Sequence, residues 1–492
     1  MRNIIISTLL ALMLFGCAVG PNYQRPSVET PPSWCFEDKE AKEVANTEWW
    51  EQFDDPVLNE LIQTALKENK DVKIAAARVE EFMGRHVTTR AALFPQVGAG
   101  ASVGRSRSTE RGPAPFSSAI ENPSDNYQVF LNANWEIDLW GKLRRATEAA
   151  RADLLSTEEG RRGVILILVT SVASAYVNLR DLDKQLDIAK RTVRSREESY
   201  NLFQIRFREG MISETELYQV KSEYEQALST IPFIEKTIAR QENALSVLLG
   251  RNAGPIPRGK TVDEFVLPAV PAGLPSDLLA NRPDIRKAEQ DLIAANARIG
   301  VAKSLYFPSI SLTGLFGSAS TDLSKLFSGP AKVWSFAAPL TAPIFTGGAI
   351  RGQVRTAEAV QQQALLRYQQ SIQASFREVE DALVDQRKSR EQLEVQERQV
   401  ESLRNYARLA RLRFDNGYTS YIEVLDAERS LFNAELSLAQ TKGVLFQALV
   451  NLYKAMGGGW VLEADRLTAV KTDLKTSAHG SAALQEGEGE SN

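Results

Sequence analysis

Residues 71–95 read DVKIAAARVEEFMGRHVTTRAALFP, and residues 284–308 read DIRKAEQDLIAANARIGVAKSLYFP. Aligned without gaps, Asp71 meets Asp284, Ala75 meets Ala288, and Phe94-Pro95 meets Phe307-Pro308, all at one offset (284 − 71 = 213). Further along, Gly141, Gly210 and Gly250 answer to Gly348, Gly417 and Gly457 at a second offset (417 − 210 = 207). The chain is therefore two copies of one unit, and the first carries six more residues (213 − 207 = 6) between Pro95 and Gly141. A long internal repeat points to a symmetric structural object before it points to a catalytic cleft.

Each copy opens with helical periodicity and stops at Phe-Pro, because the residue before proline is pushed out of the helical region. Strand patterning follows. From Gln128 to Leu139, Val129, Leu131, Ala133, Trp135, Ile137 and Leu139 alternate with a polar set broken only by Phe130. Apolar outside and wet inside is how a membrane β-barrel strand reads. Asn132, Asn134, Glu136 and Asp138 would then face water. The second copy places Trp334, Phe336, Ala338, Leu340, Ala342 and Ile344 on one face, with Pro339 and Pro343 predicting an edge or a bend. Strands are expected at about 95–104, 127–139, 308–317 and 333–345. Tyr127, Trp135, Trp140, Trp334 and Phe345 are candidates for the lipid–water boundary.

After Gly141 and Gly348 the pattern turns helical, over 141–208 and 348–415. Leu179, Leu186, Val193, Tyr200 and Phe207 recur every seventh residue, as do Leu393, Val400, Ala407 and Phe414, which predicts coiled-coil packing. Such a helix spans roughly 100 Å. Gly210 and Gly417 reverse the chain into return helices at 214–249, where Pro232 is expected to kink the helix, and 421–456.

With 43% hydrophobic and 24% charged residues the chain has the composition of folded protein, and a net charge of −4 gives no reason to expect nucleic acid. No run reaches the roughly 18 apolar residues of a membrane helix; Val164 to Val177 reads as buried core. Residues 1–16 read as a signal peptide, and Cys17 after it as the lipidated first residue of a bacterial lipoprotein. A tether is expected over 17–55, repeat 1 over 56–254, a linker over 255–275, repeat 2 over 276–460, and a disordered tail over 461–492. With His86 and His479 the only histidines, a metal site or catalytic triad has almost no material, and no cofactor is expected beyond the lipid.

Four lipid-facing strands cannot stand alone, since open edges are not tolerated in hydrocarbon. Cyclic closure with eight strands leaves a filled barrel and with twelve leaves a lumen. The polar strand face favours a homotrimer: a mainly α chain whose twelve-strand barrel, four strands per chain, continues as a helical tunnel.

The chain resembles the outer-membrane efflux factor family of TolC-like channels, and in particular their lipoprotein branch. The resemblance rests on Trp49-Trp50-Glu51-Gln52-Phe53-Asp54-Asp55-Pro56, Asp138-Leu139-Trp140-Gly141-Lys142, Asn281-Arg282-Pro283-Asp284-Ile285 and Tyr453-Lys454-Ala455-Met456-Gly457-Gly458-Gly459-Trp460, in the family's order. It implies an exit duct working with a periplasmic adaptor (a membrane fusion protein) and an inner-membrane transporter of the resistance-nodulation-division type. The helix-to-barrel transition falls at Pro95, Gly141, Pro308 and Gly348. Glu423 and Asp426, three apart, share a helix face and in a trimer give stacked carboxylate rings that favour cations. The resemblance implies that Ile422 forms an apolar ring there, Asp426 the acidic ring, and that Arg429 pairs with carboxylates; Thr419 stands where the archetype has a gate arginine. The first copy reads Thr215, Leu217, Gln219 and Ser222, without the acidic pair. A protein-secretion duct and a structural coiled-coil lipoprotein are the alternatives.

Gly254-Pro255-Ile256-Pro257-Arg258-Gly259-Lys260-Thr261 fits a phosphate-loop pattern by letter. Pro255 and Pro257 lack the N–H groups such a loop needs, and no strand precedes it.

Overall fold

The computed structural model describes residues 18–28, 31, 33–35, 48–109, 111, 121–267, 275–457 and 460–468. Cys17 and the signal-peptide residues lie outside them. In chain order the elements are α1 (Pro56–Glu68), α2 (Lys70–Ala91), β1 (Gln96–Ser106), β2 (Ser124–Ile137), α3 (Lys142–Arg208), α4 (Glu214–Leu248), α5 (Pro275–Asn281), α6 (Pro283–Ser304), β3 (Ser309–Ser320), β4 (Lys332–Ala337), β5 (Leu340–Thr341), α7 (Ala349–Asp415), α8 (Tyr421–Met456) and α9 (Trp460–Thr468).

The two offsets of the sequence reappear in the element bounds. Helix α2 maps onto α6 at both ends (283 − 70 = 213; 304 − 91 = 213), and α3 onto α7 at both ends (349 − 142 = 207; 415 − 208 = 207). Between β1 and β2 lie residues 107–123, and between β3 and β4 residues 321–331; the difference in the number of intervening residues (17 − 11 = 6) is the six extra residues.

The contacts divide into two compact units. One contains the sheet together with α6 and the adjoining parts of α2, α3 and α7. Its strands run in the order β1-β2-β3-β4, all antiparallel, with β5 on β3. The strand expected over 333–345 is shorter and broken. Pro339 has no N–H to donate, so the ladder skips; its carbonyl still accepts from Ser311 N at 3.2 Å, and β5 resumes for two residues.

The other unit contains α1, α4, α8, α9 and the remaining lengths of α3 and α7. Its largest core gathers Trp49, Phe53, Leu58, Ile165, Tyr453 and Trp460. The apolar run in α3 is core: Ile165, Val169, Val172, Tyr176 and Val177 are fully buried. Residues expected to be tether form a 3₁₀ turn, Trp49–Phe53, because two tryptophans and a phenylalanine gain more by burial than a solvated linker allows. Trp49 stacks on Tyr453 at 5.1 Å, and Trp50 meets the Trp460 ring edge-on at 5.3 Å. For the same reason the start of the expected disordered tail is helix α9. Asp55 caps α1, accepting from Val57 N at 2.8 Å. Asn69 ends α1 and caps α2 through Asp71 N at 2.8 Å.

At the hairpins, Gly210 and Gly417 adopt φ of 69° and 77°. Met211 N reaches back to Arg206 O at 2.8 Å and Tyr418 N to Arg413 O at 2.9 Å, the six-to-one bond of a Schellman stop, which needs a left-handed residue that glycine adopts without strain. Helix α4 is continuous through Pro232.

Candidate functional site

The register of the sheet decides what its two faces can do. Ala99, Leu131, Phe316 and Trp334 lie in one row across four strands, and Val97, Ala133, Gly314 and Phe336 in the next. Directly opposed residues share a face, so the separate apolar stripes merge into one continuous apolar surface. Much of it is exposed in the single chain: Val97 at 72%, Leu131 at 52% and Phe336 at 78%. The opposite face carries Asn132, Asn134 and Thr313. Phe130 on that face is accommodated by glycines on both neighbouring strands. A Cβ at Gly100 would lie 2.8 Å from its Cζ, and one at Gly317 would lie 2.7 Å from its Cα.

Of the four polar residues expected to face water, two also bond to the start of α3. Asp138 accepts from Leu143 N at 3.0 Å and Arg144 N at 2.9 Å, capping α3, and Glu136 pairs with Lys142 at 3.0 Å. At the transition, Gly141 and Gly348 both take positive φ, 77° and 88°. Pro95 and Pro308 each stand one residue before a strand. Trp140, a candidate for the lipid–water boundary, stacks on Phe307 at 4.7 Å and donates to Pro308 O at 2.7 Å. Trp140 thus ties the end of one repeat's strands to the Phe-Pro of the other.

At the helical tip, Tyr421 packs against Phe203 and Phe414 at 4.2 and 4.8 Å. This small core fixes the first turn of α8, leaving Ile422 57% exposed and Asp426 at the surface. Glu423 is gripped by Arg413 at 2.9 Å and by the Thr419 hydroxyl. Arg429 pairs with Asp426 at 2.6 Å and stands 3.7 Å from Glu223 on α4. Glu223 in turn holds Arg196, almost fully buried, at 3.0 Å. Burial pushes the Glu428 carboxyl up, while Arg411 and Arg196 pull it back.

The first copy lacks the acidic pair, with Gln219 at the Asp426 position, but it carries one acid at the Glu423 position, Glu216 (423 − 207 = 216). Its role differs: Glu216 accepts from Ser213 N at 2.8 Å and Ser213 caps Glu216 N, a closed capping box. Ser420 makes no such side-chain cap, because Thr419 and Arg413 hold Glu423 away. In the first copy Ile212 replaces Thr419, and Arg206 lies over Phe203 and Phe414 at 5.6 and 5.5 Å. What the second copy alone has is the Asp426–Arg429 pair, where the first has Gln219 and Ser222.

The segment resembling a phosphate loop is a clasp. Gly259 N donates to Tyr176 Oη at 2.9 Å and Lys260 N to Asp55 at 3.1 Å. Arg258 pairs with Asp183 and Glu242 at 2.9 and 2.6 Å. Ile256, Val262 and Phe265 are buried, so residues 255–267 of the expected linker are packed structure; 268–274 lie outside the described residues. Asp55 is wholly buried, and its place before Pro56 is the helix-start signal that marks its capping role in the sequence.

The sequence pattern of the outer membrane efflux protein family matches residues 61–251 and 274–458. The cation efflux system protein CusC of Escherichia coli is 36% identical over 460 residues, 92% of this chain and 97% of that protein. The toluene efflux pump outer membrane protein TtgF of Pseudomonas putida is 36% identical over 473 residues, 94% of this chain and 98% of that one. Among solved structures, the open state of the MtrE outer membrane channel of Neisseria gonorrhoeae matches with a TM-score of 0.82 at 31% identity, covering 90% of this chain and 99% of that one.

Proposed function

The chain belongs to the outer membrane efflux protein family, and from that premise we propose how its parts work as the outer-membrane exit duct of an efflux system. Three copies close their four strands each into a twelve-strand barrel, apolar face to lipid and Asn132 and Asn134 to the lumen. The observation carrying this reading is the register, which merges the apolar stripes of both repeats on one side of the sheet. Conduction through the lumen is passive. Cys17 carries a lipid that anchors the N-terminus.

The gate lies at the start of α8, where Ile422, Glu423, Asp426 and Arg429 project from a turn fixed by Tyr421. Rings of Asp426 and Glu423 favour cations, and the Arg429 pairings hold the tip in one arrangement. A periplasmic adaptor and an inner-membrane transporter of the resistance-nodulation-division type complete the pump. Relatives associated with cations and with toluene are equally similar to this chain, so substrate choice resides in the transporter.

Planar-bilayer conductance tests the gate. Asp426→Ala and Glu423→Ala are expected to raise single-channel conductance and weaken cation selectivity. Wild-type values for both variants would sink the assignment.

A further inference from the structure

We propose that the lipid-facing side of β3 and β4 carries a binding site for a phosphorylated glycolipid of the outer leaflet, with an acyl chain in a notch at Gly314 and a phosphate on Lys332. It rests on the apolar face being the outer one. The register sets the parts in one column: Gly314 opposite Phe336, Phe316 opposite Trp334, Ser318 opposite Lys332. Nothing lies within 4 Å of where a Cβ at Gly314 would stand, and its neighbour on β2 is the small Ala133. The result is an apolar notch of about 390 Å³ bounded by Leu131, Phe316, Trp334 and Phe336. Trp334 and Phe336 stack at 5.8 Å, forming one wall rather than filling the space. In a bilayer a site gains from close packing rather than from the hydrophobic effect. A notch in an otherwise continuous apolar face is where a methylene chain finds more contacts than the bulk lipid gives it.

Lys332 supplies the polar half. It is exposed, on the same face, one row beyond the Phe316–Trp334 pair. Among the described residues no carboxylate pairs with it, whereas Lys325 is held by Asp322 and Arg105 by Asp125. An unpaired cation on a lipid-facing strand is tolerated only near the boundary, where head-group phosphates neutralise it. Strand β3 leaves the helices at Pro308 and ends at Ser320, so Lys332 stands at the end remote from the helices. That end lies in the outer leaflet, whose phosphates belong to glycolipid. Ser318, directly opposite, adds a hydroxyl donor.

Native mass spectrometry of the full-length trimer, purified in mild detergent, tests this. The wild type is expected to retain glycolipid adducts, and to recapture purified glycolipid in preference to phosphatidylglycerol after delipidation. Lys332→Gln and Gly314→Leu, which fills the notch, should each cut retention several-fold, and Lys325→Gln should not. Should Gly314→Leu fail to give heat-stable trimers, Lys332→Gln alone decides. Wild-type retention by folded variants, or preference for phosphatidylglycerol, overturns the site. Conductance is read separately, so failure here leaves the duct intact.

Discussion

The guanidinium of Arg429 stands 3.7 Å from the Glu223 carboxylate, so a charge on the second repeat's return helix meets one on the first repeat's. The same Arg429 holds Asp426 at 2.6 Å. Coupling of this kind is measured by double-mutant cycles. Arg429→Ala is expected to raise bilayer conductance, and Asp426→Ala combined with it should add less than the sum of the two. Full additivity would mean the pair does not act as a unit. Because both groups are half-exposed, the effect should shrink as salt rises.

Ser213 and Ser420 occupy matching positions, yet only Ser213 caps its helix. Ser213→Ala should therefore cost about 1 kcal/mol of local helix stability, seen as faster hydrogen exchange at Glu216 and Leu217. Ser420→Ala should leave the exchange of Glu423 and Val424 close to wild type. Equal effects at the two sites would contradict the different roles assigned to Glu216 and Glu423.

Much of the architecture is legible in the sequence because repeats and periodicities are local. The offset between Asp71 and Asp284 locates α2 and α6, and the alternation from Val129 to Ile137 gives the face of β2. What the sequence hides is decided by partners far away along the chain. Trp49 reads as tether until Tyr453 and Trp460 close over it. Asp138 reads as lumen-facing, and that it also caps α3 shows only in the fold. Glu216 and Glu423 are the same letter at the same offset, and only the neighbours, Ile212 against Thr419, separate them.

The aromatic cluster gives a stability test. Trp49 is fully buried between Tyr453 and Trp460, so Trp49→Ala leaves a large cavity, with an expected loss of about 3–5 kcal/mol. Trp460→Ala should cost a similar amount, since Trp460 is the largest of the α9 side chains, with Val461 and Ala464, that enter this core. Both variants should lower the temperature at which trimers dissociate, with single-channel conductance of the surviving trimers unchanged. A Trp460→Ala trimer as heat-stable as the wild type would show that Trp460 adds nothing to the core.

Asp181 gives a pH test. Its side chain is 7% exposed, with Oδ2 accepting from Gln185 at 3.0 Å and Oδ1 buried without a partner. Burial pushes its carboxyl up to about 6, partly offset by the Gln185 hydrogen bond. A folded-state value above the unfolded one means that the native state prefers the neutral acid. That preference stabilises the fold fully below the unfolded value, near pH 4, and is lost as pH rises through about 6. Asp181→Asn, which cannot ionise, should therefore match the wild type at low pH and exceed it above neutrality, by on the order of 1–3 kcal/mol. Thermal dissociation of the two proteins across this range reads the difference directly. A constant offset at all pH values would place the charge on Asp181 already at low pH, and would show that the unpartnered Oδ1 costs the fold nothing on ionisation.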